Sequence, residues 1–495
     1  MVTRTTGSTS FVALIASAGI ALGATSVSAA DLGGNCCADL EERVAELEAT
    51  TARKGNRKMS LQVYGQVSEA VIWWNDGNES NVYVQENNLA KNRLGFRGNA
   101  KINSDWSAGY NLEVQIRAYR SSNANQLSLG ATNGQQIAVY NTQSVALRYA
   151  NWYLDSRSYG RLTIGRSPDA VQGIGNINLA NPDGFTGMTG PGYINNGFFL
   201  RSSGGQPGNA GLSALTWGNA ANVRNGDGPA SFDYSQTASS VKYTSPFFLG
   251  QSKSSGFRLD AQWGADDMWS VALRYAETLG AFRVATGVGY SDWRGADRGM
   301  CSRGSVTVAL PAGGSNTNCN SIQASLSVMH VPTGLYISGG GAQLEDKNSQ
   351  AAFDALTSPA QPNRGGNDGK SGVWWVQAGW EAKLNALGKT TFWGQWTQYD
   401  LGLGVANSVV QTLASTDVLN SLNRTAMLAG GQTQYWGLGV SQEISAAAMV
   451  LYAGYYNGST EVMLVTTNPT VATTRAKARP IDDFQTFFTG ATIRF

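Results

Sequence analysis

Apolar and polar residues alternate in short runs along most of the chain, from Val63 to the last residue. Successive side chains of a strand point to opposite faces, so a period of two marks a sheet with one apolar and one polar surface. The clearest run sets Ala108, Tyr110, Leu112, Val114 and Ile116 against Gly109, Asn111, Glu113, Gln115 and Arg117. Phe257, Leu259, Ala261 and Trp263 likewise oppose Arg258, Asp260 and Gln262, and Trp269, Val271, Leu273 and Tyr275 oppose Ser270, Ala272 and Arg274. Sixteen strands are predicted, at 62–71, 93–100, 108–117, 144–153, 160–166, 239–245, 257–264, 269–276, 282–293, 322–330, 335–342, 373–381, 390–399, 434–442, 448–456 and 484–495. Glu69 interrupts the apolar face of the first, and the pattern offers no reason for it.

Short turns such as Asn103-Ser104-Asp105 alternate with long connections near 298–319, 345–370 and 401–432, and 167–233 is a Gly/Asn/Pro stretch without period. Short turns on one side and long loops on the other are the habit of membrane barrels. A soluble sandwich or propeller also alternates, but it accounts for neither the loop asymmetry nor the outward Trp, Tyr and Phe of nearly every strand. The expected fold is all-β: a 16-stranded antiparallel transmembrane β-barrel over 59–495, preceded by a short periplasmic helix. A barrel of that strand number encloses an aqueous channel rather than a packed core.

The two ends of the chain agree with this reading. Arg4, the twelve-residue apolar run Phe11 to Leu22 and the small residues Val27-Ser28-Ala29-Ala30 predict a signal peptide over 1–30. No later stretch approaches the ~20 apolar residues of a spanning helix. At the other end, Phe487, Ala491, Ile493 and Phe495 share one face, and Phe488, Gly490, Thr492 and Arg494 the other. The ending, with Gly490, Ile493 and a terminal Phe495, resembles the insertion signal of bacterial outer-membrane barrels. That resemblance implies an encounter with the barrel-assembly machinery.

Composition narrows the class further. Charged residues are 14% of the chain, against a typical ~25%, while 60 Gly and 14 Trp suit alternating strands with aromatic girdles. Losing Arg4 with the leader takes the net charge from +2 to +1, so no nucleic-acid partner is implied.

Several motifs carry a family resemblance. Asn92-Arg93-Leu94-Gly95-Phe96-Arg97-Gly98, Tyr159-Gly160-Arg161-Leu162-Thr163-Ile164-Gly165-Arg166 and Ser240-Val241-Lys242-Tyr243-Thr244-Ser245-Pro246-Phe247 resemble strands of trimeric Gram-negative general porins. Cys36-Cys37-Ala38-Asp39-Leu40-Glu41-Glu42-Arg43-Val44-Ala45-Glu46-Leu47 looks like the N-terminal extension of alphaproteobacterial porins. The resemblance implies a homotrimer in an outer membrane, in contact with lipid and lipopolysaccharide. It implies passive diffusion of small hydrophilic solutes and ions through a pore narrowed by an inward-folded third external loop. One departure is plain: the Pro-Glu-Phe-Gly element of many such loops is here Pro182-Asp183-Gly184-Phe185.

In the extension, 31–58, Leu40, Val44, Leu47 and Thr51 step by four, three and four, an a/d-like seam that three copies could bring together as a short bundle. A helix of that length would be marginal alone. Cys301 and Cys319 share one external loop in an oxidising place, so a disulfide is expected there. Cys36 and Cys37 are adjacent and unsuited to bridging each other; they could cross-link subunits or stay free.

No catalytic constellation, metal site or cofactor motif is visible, and the single histidine, His330, ends a strand beside a turn. The candidate chemistry is a charged lumen instead. Period two places Arg93, Arg97, Arg117 and Arg148 on polar faces of neighbouring strands, a basic wall, and Arg93 also matches a basic wall position in general porins. Asp169 and Asp183 on the following loop would face them, giving a transverse field that orders water and slows apolar solutes. The alternatives are a substrate-specific sugar or anion channel, for which inward Tyr64, Trp375 and Phe488 are scattered, and a surface adhesin or receptor barrel.

Overall fold

The computed structural model describes residues 58–87, 89–116, 124–126, 145–201, 212–221, 237–264, 268–295, 317–346, 370–401, 411–412, 425–466, 475–477 and 481–495. The expected leader, the seam at Leu40 to Thr51, Cys36, Cys37, Arg117 and Cys301 lie outside these residues.

In chain order the strands are β1 (Gln62–Asn75), β2 (Ser80–Glu86), β3 (Arg93–Lys101), β4 (Trp106–Ile116), β5 (Val145–Ser156) and β6 (Gly160–Pro168). After them come a small hairpin, β7 (Phe199–Arg201) and β8 (Leu212–Thr216), then β9 (Thr237–Thr244), β10 (Gly256–Gly264), β11 (Trp269–Leu279) and β12 (Phe282–Gly295). The rest are β13 (Thr317–His330), β14 (Leu335–Asp346), β15 (Lys370–Ala382), β16 (Thr390–Leu401), β17 (Gln411–Thr412), β18 (Thr425–Ile444), β19 (Met449–Thr466), β20 (Arg475–Lys477) and β21 (Phe484–Arg494). Two short helices, α1 (Gly190–Asn195) and α2 (Trp217–Ala220), lie between β6 and β9.

All but β7 and β8 belong to one 19-stranded sheet. Three members, β2, β17 and β20, are short additions at one rim, which leaves the sixteen predicted strands as the wall. Each wall strand pairs antiparallel with its neighbours, and β1 closes the ring by pairing with β21 on one edge and β3 on the other. The match of Ile72 to Phe488 and of Gln66 to Arg93 fixes the register on both sides of the seam.

Two features differ from the sequence expectation. The hairpin β18–β19 is longer than predicted, because its pairing continues past the apolar band as far as Thr466. On the long-loop rim, 76–79 and 265–268 are as short as the turns opposite.

Glu69 now has an account. The line of β3 continues as β2 along the same edge of β1, broken at 87–92. Asn92 fills the break: its Nδ2 donates to Glu69 Oε1 (2.8 Å), its Oδ1 accepts the Ser68 amide (2.7 Å), and its own amide donates to Glu86 Oε1 (2.8 Å). Backbone groups freed by the interruption are thereby bonded to side chains instead of facing hydrocarbon.

The outer face carries exposed apolar side chains all round the ring, among them Val67, Leu147, Trp263, Ile322, Ile337 and Leu438. Water would penalise such a continuous belt by roughly 25 cal/mol per Å², whereas hydrocarbon favours it. A closed, even-numbered antiparallel ring with this exterior is the bacterial outer-membrane solution to satisfying every backbone group in lipid. The chain is a multi-pass β-barrel of a bacterial outer membrane.

Inward glycines let aromatic rings lie flat on the neighbouring strand. The ring of Tyr64 lies where a Cβ on Gly95 would go, Tyr456 does the same at Gly437, and Phe488 at Gly454. On the outward parity of β3, Gly98 is also tight: an added Cβ would overlap the Ser60 carbonyl oxygen and meet the Tyr110 ring at 2.7 Å. Gly98→Val is expected to lower barrel stability by about 1–3 kcal/mol through overpacking. Urea unfolding of the detergent-solubilised protein reads this, and an unshifted midpoint would show that Ser60 simply moves away.

Candidate functional site: the barrel interior

The inner wall divides into two faces of different chemistry. Between β15 and β1 it is aromatic: Trp375, Tyr399, Tyr435, Tyr456, Phe484, Phe488 and Trp74 all point inward and are buried. Here the structure corrects the impression of scattered rings. Trp375 and Phe488 belong to one packed layer, in which Tyr456 stacks on Phe488 at 5.9 Å.

What buries that layer is the segment between β6 and β9. Its apolar residues Val171, Ile174, Phe185, Met188, Ile194 and Trp217 are buried against the inner wall in the same core. Phe185 meets the edge of Phe488 at 5.2 Å, and Trp217 packs on Tyr435 at 5.9 Å. Gly287 and Gly289 on β12 leave room for Ile174 and Val171, which lie closer than 3 Å to where their Cβ atoms would be.

Polar anchors hold the segment's backbone. The Ser327 hydroxyl accepts the Leu179 amide (2.9 Å), Gln395 accepts the Gly187 amide (2.8 Å), and Trp375 Nε1 donates to the Gly175 carbonyl (2.8 Å). Tyr399 and Tyr456 donate to the carbonyls of Met188 (2.7 Å) and Phe185 (2.8 Å), and the Ser325 hydroxyl to that of Ile174. An irregular backbone can sit inside the barrel because the wall supplies these partners.

The facing wall, from the lower part of β1 to β11, is charged. Arg93 donates to Gln66 Oε1 (2.8 Å), and Arg97 to Gln62 Oε1 (2.9 Å) while lying 4.9 Å from the centre of the Tyr64 ring. Arg148 pairs with Glu113 (3.2 Å) and lies 4.9 Å from the Tyr149 ring; Arg161 lies 4.2 Å from that of Tyr153. Tyr64 donates to Asn111 (2.7 Å) and Glu113 (2.9 Å). The arginines are thus held splayed against the wall by aromatic faces, amides and Glu113.

Each described candidate residue of the lumen has a definite place. Arg93, Arg97 and Arg148 gather on one wall. Asp169 does not face them: it is buried at the opposite end of the charged wall, accepting from the Ser270 hydroxyl (2.5 Å) and the Val171 amide (3.1 Å). Burial pushes its carboxyl up, while those two bonds pull the other way. Asp183 is bound by Arg494, whose Nη2 donates to both of its oxygens at 2.8 and 3.1 Å. The carboxylate among the arginines is Glu113, on β4.

Glu113 and Arg494 are residues that sequence reasoning missed as site members. Both have the inward parity of their strands, and that was the available signal. At the signal positions, Ile493 and Phe495 are exposed on the outer face, while Gly490 faces the Tyr452 hydroxyl. His330 shares a hydrogen bond with the Thr333 hydroxyl (2.8 Å) and packs 4.9 Å from the Phe282 ring. Cys319 lies in β13 opposite Trp293 and Asp346. Among the described residues no three His, Cys, Asp or Glu side chains are grouped to hold a metal ion.

No family model matches the chain, and no curated protein matches its sequence. Solved structures of similar fold include an anion-selective porin from Comamonas acidovorans (14% identity, TM-score 0.48), the likeness spanning 88% of this chain and 100% of that one. OmpF of Salmonella typhi, in complex with daunomycin, is similar at 14% identity and TM-score 0.46 over 88% and 98% of the two chains. OmpT, an outer membrane protein of Vibrio cholerae, is similar at 13% identity and TM-score 0.46 over 89% and 99%.

Proposed function

We propose that the chain is a porin, a water-filled channel through which small hydrophilic solutes and ions diffuse passively down their gradients. One observation carries the reading: the inward segment packs its apolar residues on the aromatic face of the lumen, and Arg93, Arg97 and Arg148 on the facing wall stand outside that buried core. The passage therefore runs between the segment and a charged, hydrated wall. Arg93, Arg97 and Arg148 form the basic side of the constriction, with Arg117 extending it, and Glu113 is their counter-charge. Asp169 and Asp183 pin the first part of the segment. The rings between β15 and β1 are packed under the segment, and among the described residues Tyr64, Tyr149 and Tyr153 on the facing wall lie against Arg97, Arg148 and Arg161, which disfavours a sugar-specific aromatic track.

The remaining parts follow the same reading. Three copies assemble in the outer membrane amid lipid and lipopolysaccharide, delivered by the signal peptide and inserted by assembly machinery reading Gly490, Ile493 and Phe495. The N-terminal extension bundles on the periplasmic side, and a Cys301–Cys319 disulfide stiffens one external loop. No cofactor and no catalytic step is involved.

Purified trimer in a planar bilayer is expected to give a large ohmic conductance that closes in three equal steps. A correctly folded barrel that leaves the bilayer silent would reject the channel and favour an adhesin or receptor. Two equal steps would reject the trimer alone.

A further inference from the structure

At the short-turn mouth the charged wall widens into a cavity of about 1070 Å³. Five cations line it: Arg157 and Arg161 from the β5–β6 hairpin, Lys242 on β9, Lys253 in the β9–β10 turn and Arg258 on β10. Only two carboxylates, Asp155 and Asp260, stand against them. Both are already engaged. Asp155 pairs with Arg161 (3.0 Å), and Asp260 accepts from Arg274 (3.1 Å) and Thr244 (2.7 Å) with Arg258 at 3.6 Å.

The surplus is thus positive and sits at defined places. Arg157 and Lys253 are exposed at the mouth, and neither has a carboxylate partner among the described residues. Further in, Lys242 donates to the Pro168 carbonyl (2.8 Å), which leaves two of its three donor positions. Beside it on the cavity wall is Ser167, 1% exposed, whose hydroxyl has no hydrogen-bond partner among the described residues. A buried hydroxyl without a partner has lost its hydration and has gained nothing in return. Asn111 and Asn151 line the far side, and Asn111 is the residue that Tyr64 of the arginine wall bonds, so the cavity opens onto the constriction.

We propose that this vestibule is a low-affinity site for small polyanions, molecules carrying two or more phosphate or carboxylate groups, entering from the short-turn side. The proposal rests on the channel reading and names the solute class that the channel would concentrate. Cations at both depths of the cavity suit an anion with separated charges better than a single chloride. A volume of this size also exceeds what one inorganic ion fills. Affinity must stay weak, because a pore that holds its solute tightly does not conduct.

The test uses the full-length trimer and tripolyphosphate, with citrate as the carboxylate arm. In bilayers at low salt, tripolyphosphate added on the short-turn side is expected to reduce the current at millimolar concentration. Addition on the long-loop side should do so only at higher concentration, and acetate at matched ionic strength not at all. Arg157→Gln with Lys253→Gln should raise the half-blocking concentration about tenfold, with open conductance retained, since two unit charges near the solute are removed. The block should fade as added salt shortens the Debye length. Phosphorus NMR line broadening of tripolyphosphate by detergent-solubilised protein reads the same site without any current. Broadening lost in the double variant supports the site even in a barrel that does not conduct. Block by citrate but not by tripolyphosphate restricts the class to carboxylates and overturns the broader proposal. Conduction that is indifferent to both anions, or equal block in the double variant, overturns the site while leaving the channel standing.

Discussion

With Arg93 and Arg97 both replaced by glutamine, the reversal potential in a potassium chloride gradient is expected to move toward cation preference. The anion-to-cation permeability ratio should fall on the order of tenfold, because each charge close to the ion path is worth about 1 kcal/mol even in high dielectric. Both guanidinium groups donate to side-chain amide oxygens, and a glutamine amide N–H can donate to Gln66 and Gln62 in their place. Arg148 is excluded from this variant for a physical reason. It is the ion-pair partner of Glu113, whose side chain is only 3% exposed, and removing it would leave a buried carboxylate unpaired. An unchanged reversal potential would mean that ions do not pass this wall.

The second large effect is expected at a contact far from the arginines. Arg201, at the end of β7, pairs with Asp76 at 2.7 Å, and the two side chains are 1% and 2% exposed. Asp76 also accepts the Glu79 amide (2.7 Å), while the Arg201 carbonyl accepts the Asp482 amide (2.9 Å). One pair thus ties the β1–β2 turn, the inward segment and the approach to β21. Arg201→Met leaves the Asp76 charge buried and should cost about 3–5 kcal/mol of stability, whereas adding Asp76→Asn to it should recover most of that loss. The unfolding midpoint in urea measures both. If the double variant is no more stable than the single, the pair's charge is not what the site depends on. The same single variant should show a noisier open current, since it releases a tie between the segment and the β1–β2 turn.

How far the sequence reveals this arrangement depends on what each residue's position is set by. The strands were legible because lipid outside and water inside impose strict alternation, and runs such as Ala108 to Arg117 obey it without exception. Arg93 and Arg97 were legible for the same reason. Arg148 was only half legible. By strict alternation it shares a face with Trp152, yet Trp152 is exposed on the outer wall. A register shift opposite Glu113 and Val114 resolves the conflict: the extra residue lets Arg148 turn inward while Tyr149, Asn151 and Tyr153 keep the inner face. Nothing in the alternation announces a bulge. The partners of Asp169 and Asp183 were hidden for a different reason. The loop that carries them has no period, and Ser270 and Arg494 are far away in sequence. The inward aromatics looked scattered because the layer they form is assembled from six strands.

The anchoring of the inward segment has a consequence for the order of assembly. The segment lies between β6 and β9, but it is anchored to β15, β16, β19 and β21, which come late in the chain. Closing such distant pairings early carries a large loop entropy with no wall yet present to reward it. The ring must therefore zip shut first, and the plug seats itself afterwards. A chain truncated before β19 would lack not only its seam but also the docking floor for a segment encoded more than two hundred residues upstream.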